Sequence, residues 1–449
     1  MKGFTLLLSL LVVLAWFQPP VSACENLSPL TPLKGGRLEK VGGKYLLRVE
    51  GSPYEMGYQH GYLLAKGVQR MTKEFIYAVV ESYGIPRELT DLLKPLIMAM
   101  CHANEKFVPK EFREEMKGIV DGANDYGNLY LENWENLSYE DVLLLNLGFD
   151  ILLSIAYPII TPLLPLEKVG ISPLSCDGFV VKNRATADGK ARMGRNFMFT
   201  AKVFSEEALL IEHVPSKGKR FVSVTAPGFV GVTSAMNEEG LAIGMDMVPA
   251  MNTHPAVVGM GCLLLARKVV QYSRTLEEAV WTIKKAVRGT PWLYIVGDGK
   301  GRRRFGAVIE TSADFCEVRY NDYIYPSKFP LLPKQIEEYE DVVALANHYI
   351  IPEMVLKTGS YPVRDSLSRY EELVRRLTEA YGRIDDALGR ELVNYLWHWG
   401  YYGADPSQPI GGSRTLYNLT DKRLYALFGT YADNWACYDF STRRFYVLP

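Results

Sequence analysis

The sequence predicts an α+β protein in which two antiparallel sheets are stacked between layers of helices, a four-layer αββα sandwich with a helical N-terminal segment. Three observations lead to this fold class. Helical periodicity recurs through the N-terminal third, short strand-like runs separated by turns begin at Cys176, and two helical patterns interrupt those runs. The chain has 449 residues, of which 48% are hydrophobic, so it can bury the large core that such a sandwich needs.

The N-terminal third is predicted to be mainly helical. Residues 41–50 alternate between polar and apolar like a strand, and Gly51-Ser52-Pro53 ends that strand. Beyond it, apolar residues recur at helical spacing over residues 58–83, 87–105, 110–126 and 138–156. The apolar, proline-containing stretch at 150–165 is interpreted as a buried or lid-like connection rather than a membrane-bound segment.

Strand character takes over at Cys176. Short β-like runs are predicted first, at 176–182, 191–197, 208–213, 220–225, 231–236 and 241–247. Two helices follow at 261–272 and 276–287, and then strands at 292–298, 304–310 and 316–320. The remainder contains helical patterns at 364–380 and 385–398 and a strand-like tail at 413–448. This order of strands, helices and strands fits two sheets between helical layers.

The N-terminus is predicted to direct export. Lys2 precedes an apolar run over residues 4–17, and Val21-Ser22-Ala23 supplies small residues for cleavage before Cys24. Residues 1–23 are therefore expected to be a signal peptide, because the apolar run is short for a membrane span. The same residues also resemble a bacterial lipobox, in which Cys24 would carry a lipid. Both forms stay open, a secreted or periplasmic protein and one tethered to the membrane at the cell surface through Cys24, and no later stretch is expected to cross a bilayer.

Charge and cysteine usage exclude several classes of function. The 50 Lys and Arg residues balance 51 Asp and Glu residues, so a net charge of −1 gives no reason to expect a nucleic-acid partner. The six cysteines form no CxxC pair, and neither they nor the six histidines have the spacing of metal ligands. No metal and no organic cofactor are therefore expected.

Cys176 is the residue with the strongest chemical signal. It follows Pro173-Leu174-Ser175 and heads an apolar strand, and the Asp188-Gly189 turn folds back a second strand that carries Arg195 and Asn196. A cationic neighbour lowers the pKa of a thiol and increases its thiolate fraction. Such a hairpin is expected in a cysteine N-terminal-nucleophile hydrolase, whose cysteine becomes N-terminal when the chain cuts itself, here between Ser175 and Cys176. The alternatives are that Cys176 is a structural cysteine and that Arg195 is a surface residue of a strand.

Six further motifs occur in order along the chain. They span residues 51–61, 115–123, 138–146, 236–242, 346–349 and 365–369, and include Asn237-Glu238-Glu239-Gly240-Leu241 and Ala346-Asn347-His348-Tyr349. Together with residues 176–196, these motifs resemble the autoproteolytic acyl-coenzyme A:6-aminopenicillanate acyltransferase family and, more distantly, the choloylglycine hydrolases. Each motif is weak alone, and the resemblance rests on their order and joint presence.

The resemblance implies a role for each matching residue. Cys176 would be the nucleophile and, through its freed α-amine with a pKa of about 7.7–8.0, also the base. Arg195 would lie close to the nucleophile, Asn347 would donate its amide to the oxyanion, and Arg369 would supply a supporting charge, with Arg364 as its rival. The resemblance also assigns Asn196 and His348 to substrate binding, although a structural role for His348 stays open.

The resemblance further implies the reaction and the processing of the chain. The reaction would be amide hydrolysis or acyl transfer through a thioester, with a small-molecule acyl amide or acyl donor as partner. Residues 24–175 would form the α chain and residues 176–449 the catalytic β chain, and the two would stay associated after the cut.

Two positions depart from the family pattern. Met198 stands where the family often has an aspartate, and Asp177 and Asp246 are the two candidates to replace that carboxylate. Asp246 itself stands where related enzymes often have an asparagine. Because an ionised carboxylate would repel an oxyanion, Asp246 is expected to be protonated, to face elsewhere, or to bind a cationic group of the substrate.

Two other functions fit the same sequence. The first is a lipid amidase or a phospholipase B-like hydrolase on the same fold, which the apolar stretch at 150–165 favours. The second is a surface lipoprotein that keeps the fold without activity, which Met198 and Asp246 keep open.

Overall fold

A computed structural model of the protein describes residues 35–82, 86–163, 176–199, 202–323, 340–360, 364–398, 412–430 and 433–449. The predicted signal peptide, the predicted lipidation site at Cys24 and the residue before the predicted cut, Ser175, lie outside the described residues.

Two strands, five α-helices and one 3-10 helix (Thr161–Leu163) precede Cys176 in the described chain. The strands are β1 (Arg37–Val41) and β2 (Lys44–Gly51), and the helices are α1 (Pro53–Leu63), α2 (Ala65–Ser82), α3 (Arg87–Glu105), α4 (Lys110–Tyr130) and α5 (Tyr139–Ile160). Capping boxes formed by Ser52 and Ser138 start α1 and α5. The helical character predicted for this third is confirmed, but the pattern predicted at 58–83 begins earlier, at Pro53, and is interrupted at Leu64.

Strands and helices alternate in groups from Cys176 onward. The first group is β3 (Cys176–Asn183), β4 (Gly189–Met198), α6 (Lys202–Glu207), β5 (Leu209–Pro215), β6 (Phe221–Thr225), β7 (Ser234–Asn237) and β8 (Leu241–Met247). The second is α7 (Cys262–Tyr272), α8 (Leu276–Lys285), β9 (Trp292–Asp298), β10 (Gly306–Thr311), β11 (Cys316–Tyr320) and β12 (Val342–Ala346). The last is α9 (Pro352–Thr358), α10 (Arg364–Glu379), α11 (Asp386–His398), β13 (Gly412–Asn418), β14 (Arg423–Leu427), β15 (Trp435–Asp439) and β16 (Arg444–Leu448). The short helices α6 and α9 were not predicted from the sequence.

The strands form two sheets. One has nine strands in the order β1-β2-β5-β6-β7-β8-β9-β10-β11, and the other has seven in the order β12-β3-β4-β13-β14-β15-β16. Every pairing is antiparallel except that of β2 with β5, which is parallel. The prediction of purely antiparallel sheets is therefore wrong at this pair, because alternation along a strand does not reveal the direction of its neighbour.

Three buried apolar clusters define the layers. The first lies between one face of the nine-stranded sheet and the helices α1–α5, α7 and α8, with Ile243 at the sheet side. The second lies between the sheets and contains Val180 and Ile295. The third, with Phe179 and Leu373, lies between the seven-stranded sheet and α10 and α11. The predicted four-layer αββα sandwich is confirmed.

The β3–β4 hairpin carries the predicted nucleophile. Cys176 pairs with Phe197, and Asp177 pairs with Asn196. Because side chains alternate along a strand, Cys176 faces the same side of its sheet as Val180, whereas Asp177 faces the layer of α10 and α11. At this end of the strand the Cys176 side chain packs in the first cluster, with Phe197 and Phe199. The hairpin predicted from the Asp188-Gly189 turn is confirmed, and Gly189 adopts the left-handed conformation with φ of 73°.

Helix α5 is long and apolar enough to cross a membrane by length and composition, the one such helix in the described chain. The expectation that no stretch after the N-terminus has this character is therefore wrong. Most of the helix is nevertheless buried inside the protein, where Leu143, Leu147 and Ile151 contribute to the core under the nine-stranded sheet. This burial agrees with the interpretation of the apolar stretch as a buried connection as far as Tyr157.

Candidate active site

Cys176 is held at the start of β3 by its own main chain. Its N–H donates a hydrogen bond to Oδ1 of Asn347 over 2.6 Å, and its Sγ lies 3.9 Å from the carbonyl oxygen of Met198. Asn347 directly follows β12, whose Ala346 pairs with Asp177 on β3. Strand pairing therefore brings Asn347 to the nitrogen that self-cleavage would convert into an α-amine.

Asn347 is oriented differently from its predicted role. Its Nδ2 donates to the carbonyl oxygen of Met247 over 2.7 Å, while its Oδ1 faces the main-chain nitrogen of Cys176. In this orientation Asn347 acts on the nucleophile as a hydrogen-bond acceptor. Donation to an oxyanion would require the side chain to turn over, so that role stays a prediction.

Arg369 on α10 donates hydrogen bonds to Cys176 and to two of its neighbours. It donates to the carbonyl oxygen of Cys176 over 2.8 Å, to Oδ1 of Asn347 over 2.9 Å and to Oδ2 of Asp177 over 3.3 Å. The structure therefore brings Arg369 to the site, whereas its rival Arg364 lies exposed at the start of α10.

Asn196 and Asp177 form a buried pair beneath the nucleophile. Nδ2 of Asn196 donates to Oδ1 of Asp177 over 2.8 Å, on the helix-facing side of the seven-stranded sheet. Asp177, a candidate to replace the family's carboxylate, is thus bound to Asn196 and Arg369. The predicted contact of Asn196 with substrate stays a prediction, since its amide is directed at Asp177.

Arg195 lies between the sheets and is paired with Asp246. Its Nε lies 3.2 Å from Oδ1 of Asp246, its Nη1 donates to Oγ of Ser234 over 2.7 Å, and its Nη2 donates to the carbonyl oxygen of Met245. A Cβ on Gly244 would lie only 2.1 Å from Cδ of Arg195, so the glycine leaves the room that the arginine occupies. Arg195 is 1% exposed, and the alternative that it is a surface residue is wrong.

The charges around Cys176 oppose one another. Burial and, to a smaller extent, the carboxylate of Asp246 raise the pKa of the Cys176 thiol to about 12, although Arg195 and Arg369 act in the opposite direction. Arg195 therefore acts in the predicted direction but is outweighed by burial. Burial therefore favours the thiol of Cys176 over its thiolate in this uncut chain.

Asp246 is paired with a cationic residue of the protein itself, Arg195. Burial raises the pKa of Asp246 to about 6, with Arg195 lowering it and Asp177 raising it. Its Oδ2 is buried without a hydrogen-bond partner among the described residues. Of the three predicted possibilities, a cationic partner is observed, but that partner is Arg195 of the protein.

His348 is buried on the side of α10. Its Nδ1 lies 2.7 Å from Oγ of Ser366, and its ring meets the edge of the Tyr370 ring at a centroid distance of 5.5 Å. Burial, with help from Arg369 and Arg319, lowers the pKa of His348 to about 3, so the ring is neutral. These contacts favour the structural role that the sequence left open, and its contact with substrate stays a prediction.

An apolar pocket opens at Cys176. The space between its close-packed rings that the centre of a water-sized sphere can reach is about 20 Å³. Its walls are almost entirely aromatic or aliphatic, and are formed by Phe75, Phe149, Cys176, Phe197, Phe199, Phe204, Phe229, Thr233, Met245, Met247, Leu263 and Trp292. Apart from Cys176, none of these wall residues was predicted from the sequence, and the alternation of Phe197 and Phe199 at the end of β4 was the available signal. The described residues contain no group of three or more His, Cys, Asp or Glu that could hold a metal.

The chain has two sheets between helical layers, and Cys176 heads an inner strand of the seven-stranded sheet. Residues 184–390 match the family model described as Acyl-coenzyme A:6-aminopenicillanic acid acyl-transferase. The match contains Arg195, Asp246, Asn347 and Arg369 and begins eight residues after Cys176. It confirms the resemblance that the motifs indicated and suggests hydrolase or acyltransferase activity.

Individual proteins resemble the chain to different degrees. An uncharacterized protein of Archaeoglobus fulgidus is 55% identical over 405 residues, which is 89% of this chain, and the chain spans 66% of that relative's length. Protein dcd1A of Dictyostelium discoideum is 21% identical over 75% of this chain and 76% of its own length. Among solved structures, the Caenorhabditis elegans N-acylethanolamine-hydrolyzing acid amidase (NAAA) ortholog is 14% identical, with 55% of this chain and 93% of that chain covered and a TM-score of 0.39. Penicillin V acylase from Agrobacterium tumefaciens is 15% identical, and the alignment covers 59% of this chain and 86% of that chain with a TM-score of 0.39.

Proposed function

We propose that this protein is a self-cleaving cysteine amidohydrolase or acyltransferase that acts on N-acyl amides with an apolar acyl group. One observation carries the proposal: Cys176 heads β3 with its nitrogen bound by Asn347 and its side chain at an apolar pocket. A nucleophile, a nitrogen that can become its base, and a place for the acyl group thus occur together.

Self-cleavage is the first chemical step. The Cys176 thiol adds to the carbonyl carbon of Ser175, and the peptide C–N bond breaks to give a thioester and a free α-amine. Water then hydrolyses the thioester, which leaves the Ser175 carboxylate on one chain and the Cys176 thiol on the other. The new α-amine remains beside Oδ1 of Asn347, which can accept one of its protons and so direct its lone pair towards the sulfur.

Turnover repeats the same acyl chemistry on a substrate. The α-amine takes the thiol proton as sulfur adds to the amide carbonyl, and passes that proton to the departing amine as the C–N bond breaks. The acyl thioester is then released by water in hydrolysis or by a second amine in transfer. A neighbouring amine base allows attack despite the raised pKa of the Cys176 thiol, because the thiol loses its proton only while the sulfur attacks the carbonyl.

Export is a separate proposal, and it depends on Lys2, the apolar run at 4–17 and the small residues before Cys24. Mass spectrometry of the mature N-terminus tests it. An unmodified Cys24 at the terminus supports a secreted or periplasmic protein, a lipid-modified Cys24 supports a surface lipoprotein, and a retained Met1 contradicts export.

The test of the enzyme is to follow processing and turnover in the same preparations. Wild type is expected to give chains of about 17 and about 31 kDa, the shares of 50.6 kDa that belong to residues 24–175 and 176–449. Cys176→Ala should give one uncut, inactive chain, and Cys176→Ser should cut slowly, because a hydroxyl is a poorer nucleophile. Hydrolysis of a panel of N-acyl amino acids, β-lactam precursors, fatty amides and phospholipid esters is measured alongside.

The outcomes separate the candidates. Cleavage between Ser175 and Cys176 with turnover of N-acyl amino acids or β-lactam precursors supports the proposal, whereas turnover only of fatty amides or phospholipid esters supports the lipid amidase or phospholipase B-like alternative. A correctly cut protein that turns over none of them supports the inactive lipoprotein. Activity in a chain that remains uncut before Cys176 contradicts the mechanism.

A further inference from the structure

The aromatic rings of the pocket form a path that leads away from the nucleophile. Phe197 lies opposite Cys176 in the β3–β4 pairing, and its ring stacks on that of Phe199 with a centroid distance of 5.3 Å. Phe199 stacks in turn on Phe75 at 5.5 Å and meets Phe149 edge-on at 6.1 Å. Phe75 lies on α2 and Phe149 on α5, so the far part of the pocket is built by the segment that precedes the predicted cut.

Hydrogen bonds fix the wall that Phe149 forms. The next residue, Asp150, accepts a hydrogen bond from Nε1 of Trp292 over 2.9 Å and another from the main-chain N–H of Cys262 over 3.0 Å. The carbonyl oxygen of Asp150 accepts a third from Oγ1 of Thr290 over 3.0 Å. The rings of Phe149 and Trp292 lie 5.9 Å apart, so this wall joins α5 to the start of β9 and cannot move without breaking buried hydrogen bonds.

We propose that Phe75 and Phe149 limit the length of the acyl group that the site accepts. The segment before Cys176 would then determine the acyl specificity, while the segment that begins at Cys176 carries the nucleophile. The inference rests on the proposed function, in which the acyl carbonyl lies at Cys176 and the acyl tail follows the path of rings. The substrates are N-acyl amides whose compact alkyl or aryl acyl group ends at these two rings. Longer tails are excluded because a close-packed, hydrogen-bonded wall yields little to an added methylene.

The test is a series of straight-chain N-acyl amides of one fluorogenic arylamine, with acyl groups from short to long. For wild type, kcat/KM should rise with chain length to a maximum and then fall. Phe149→Ala should move the maximum to longer chains and raise the preference for long over short chains by roughly tenfold or more, because one methylene is worth about that much in a tight pocket. Phe75→Ala should act in the same direction.

Phe112→Ala is the matched control. Phe112 is also a buried ring of the helical N-terminal segment, but it packs against Arg267 at 5.4 Å rather than along the path of rings. Its loss should lower stability without moving the maximum. Phe149→Leu replaces the alanine variant in this test if that variant is not cut or does not fold. Leucine removes less volume, so the maximum of kcat/KM should move towards longer acyl chains by a smaller step.

A second measurement does not depend on turnover. Calorimetric titration of uncut Cys176→Ala with fatty acids of increasing length should show an affinity maximum that Phe149→Ala moves to longer acids. If wild type hydrolyses no amide but this maximum moves, the proposed function fails and the length selection stands. A length profile that Phe149→Ala and Phe149→Leu leave unchanged overturns the inference.

Discussion

Among single residues, Asp246 has an unusual environment because it is a buried acid whose cation is also buried. Arg195 shares its charge among Asp246, Ser234 and the carbonyl of Met245, and one oxygen of Asp246 is left without a partner in the described chain. Burial outweighs the attraction of Arg195, so the pKa of Asp246 rises to about 6. The folded protein thus binds a proton at this site more tightly than the unfolded chain does, and the stability that Asp246 contributes is lost as the pH rises from about 4 to about 6.

Asp246→Asn, made in the uncut Cys176→Ala chain, tests this sign. Unfolding by urea between about pH 4 and pH 7 should show the aspartate-containing chain losing stability relative to the asparagine variant, by an amount of the order of 3 kcal/mol. Asp314→Asn is a control of opposite sign, because hydrogen bonds from Asn252 and His254 lower the pKa of the exposed Asp314. If the free energy of unfolding changes equally with pH in the aspartate-containing chain and in the asparagine variant, the raised pKa of Asp246 is contradicted.

Among the elements, α1 and α4 approach each other closely at four glycines. Gly57 and Gly61 lie on α1, and Gly118 and Gly122 lie on α4. A Cβ built on any of the four would lie 2.0–2.2 Å from a main-chain carbonyl oxygen of the other helix. These glycines belong to the motifs at 51–61 and 115–123, so helix packing accounts for them without any part in the chemistry.

Gly61→Ala is expected to destabilise the fold. The added methyl meets the carbonyl of Ile119, which cannot move aside as a side chain would, so overpacking should cost about 1–3 kcal/mol or more. Gly148→Ala on α5 is the matched control, because its methyl meets only the flexible end of Leu144 and alanine favours a helix over glycine by up to about 1 kcal/mol. Urea unfolding of both variants in the uncut Cys176→Ala chain provides the comparison, and equal effects would argue against backbone contact as the cause.

At the scale of the whole molecule, the segments before and after Cys176 share one core. Strand β2 pairs with β5 inside the nine-stranded sheet, and the pocket has walls from both segments. Buried Glu115 on α4 and Arg267 on α7 form an ion pair at 2.9 Å, and Arg70 on α2 binds Glu207 on α6 over 2.9 Å. Removing either partner of the fully buried pair would leave an uncompensated charge, so the two segments are expected to hold each other in place.

After self-cleavage the two chains should therefore remain together. Gel filtration under reducing conditions in about 1 M salt should give a single complex that elutes with the uncut Cys176→Ala chain, because salt at that strength screens exposed charges and leaves apolar burial intact. Adding urea should separate the chains only as the fold is lost. Separation of the chains in salt alone would mean that exposed ion pairs hold the complex.

Much of the fold and part of the site follow from the sequence. Alternating and helical periodicities predicted the layers, and the turn at Asp188-Gly189 predicted the hairpin that carries Cys176. The motifs also named Arg195, Asn347 and Arg369, which the structure brings to Cys176 or to the acid near it. The periodicities and the turn are accessible because they depend on residues close together in the chain, where backbone sterics and local hydrogen bonds decide the conformation. The three site residues were accessible only through the resemblance of their motifs to a known family.

Only the tertiary structure decided what those residues meet. The parallel pairing of β2 with β5, the pairing of Asp246 with Arg195 and the hydrogen bond from the Asn347 amide to Met247 all join parts of the chain that are far apart in sequence. The aromatic pocket, which brings Phe75 and Phe149 to the rings beside Cys176, arises in the same way. Periodicity shows which face of an element is buried, but the partner on that face depends on how the layers stack and fill space, which no local pattern specifies.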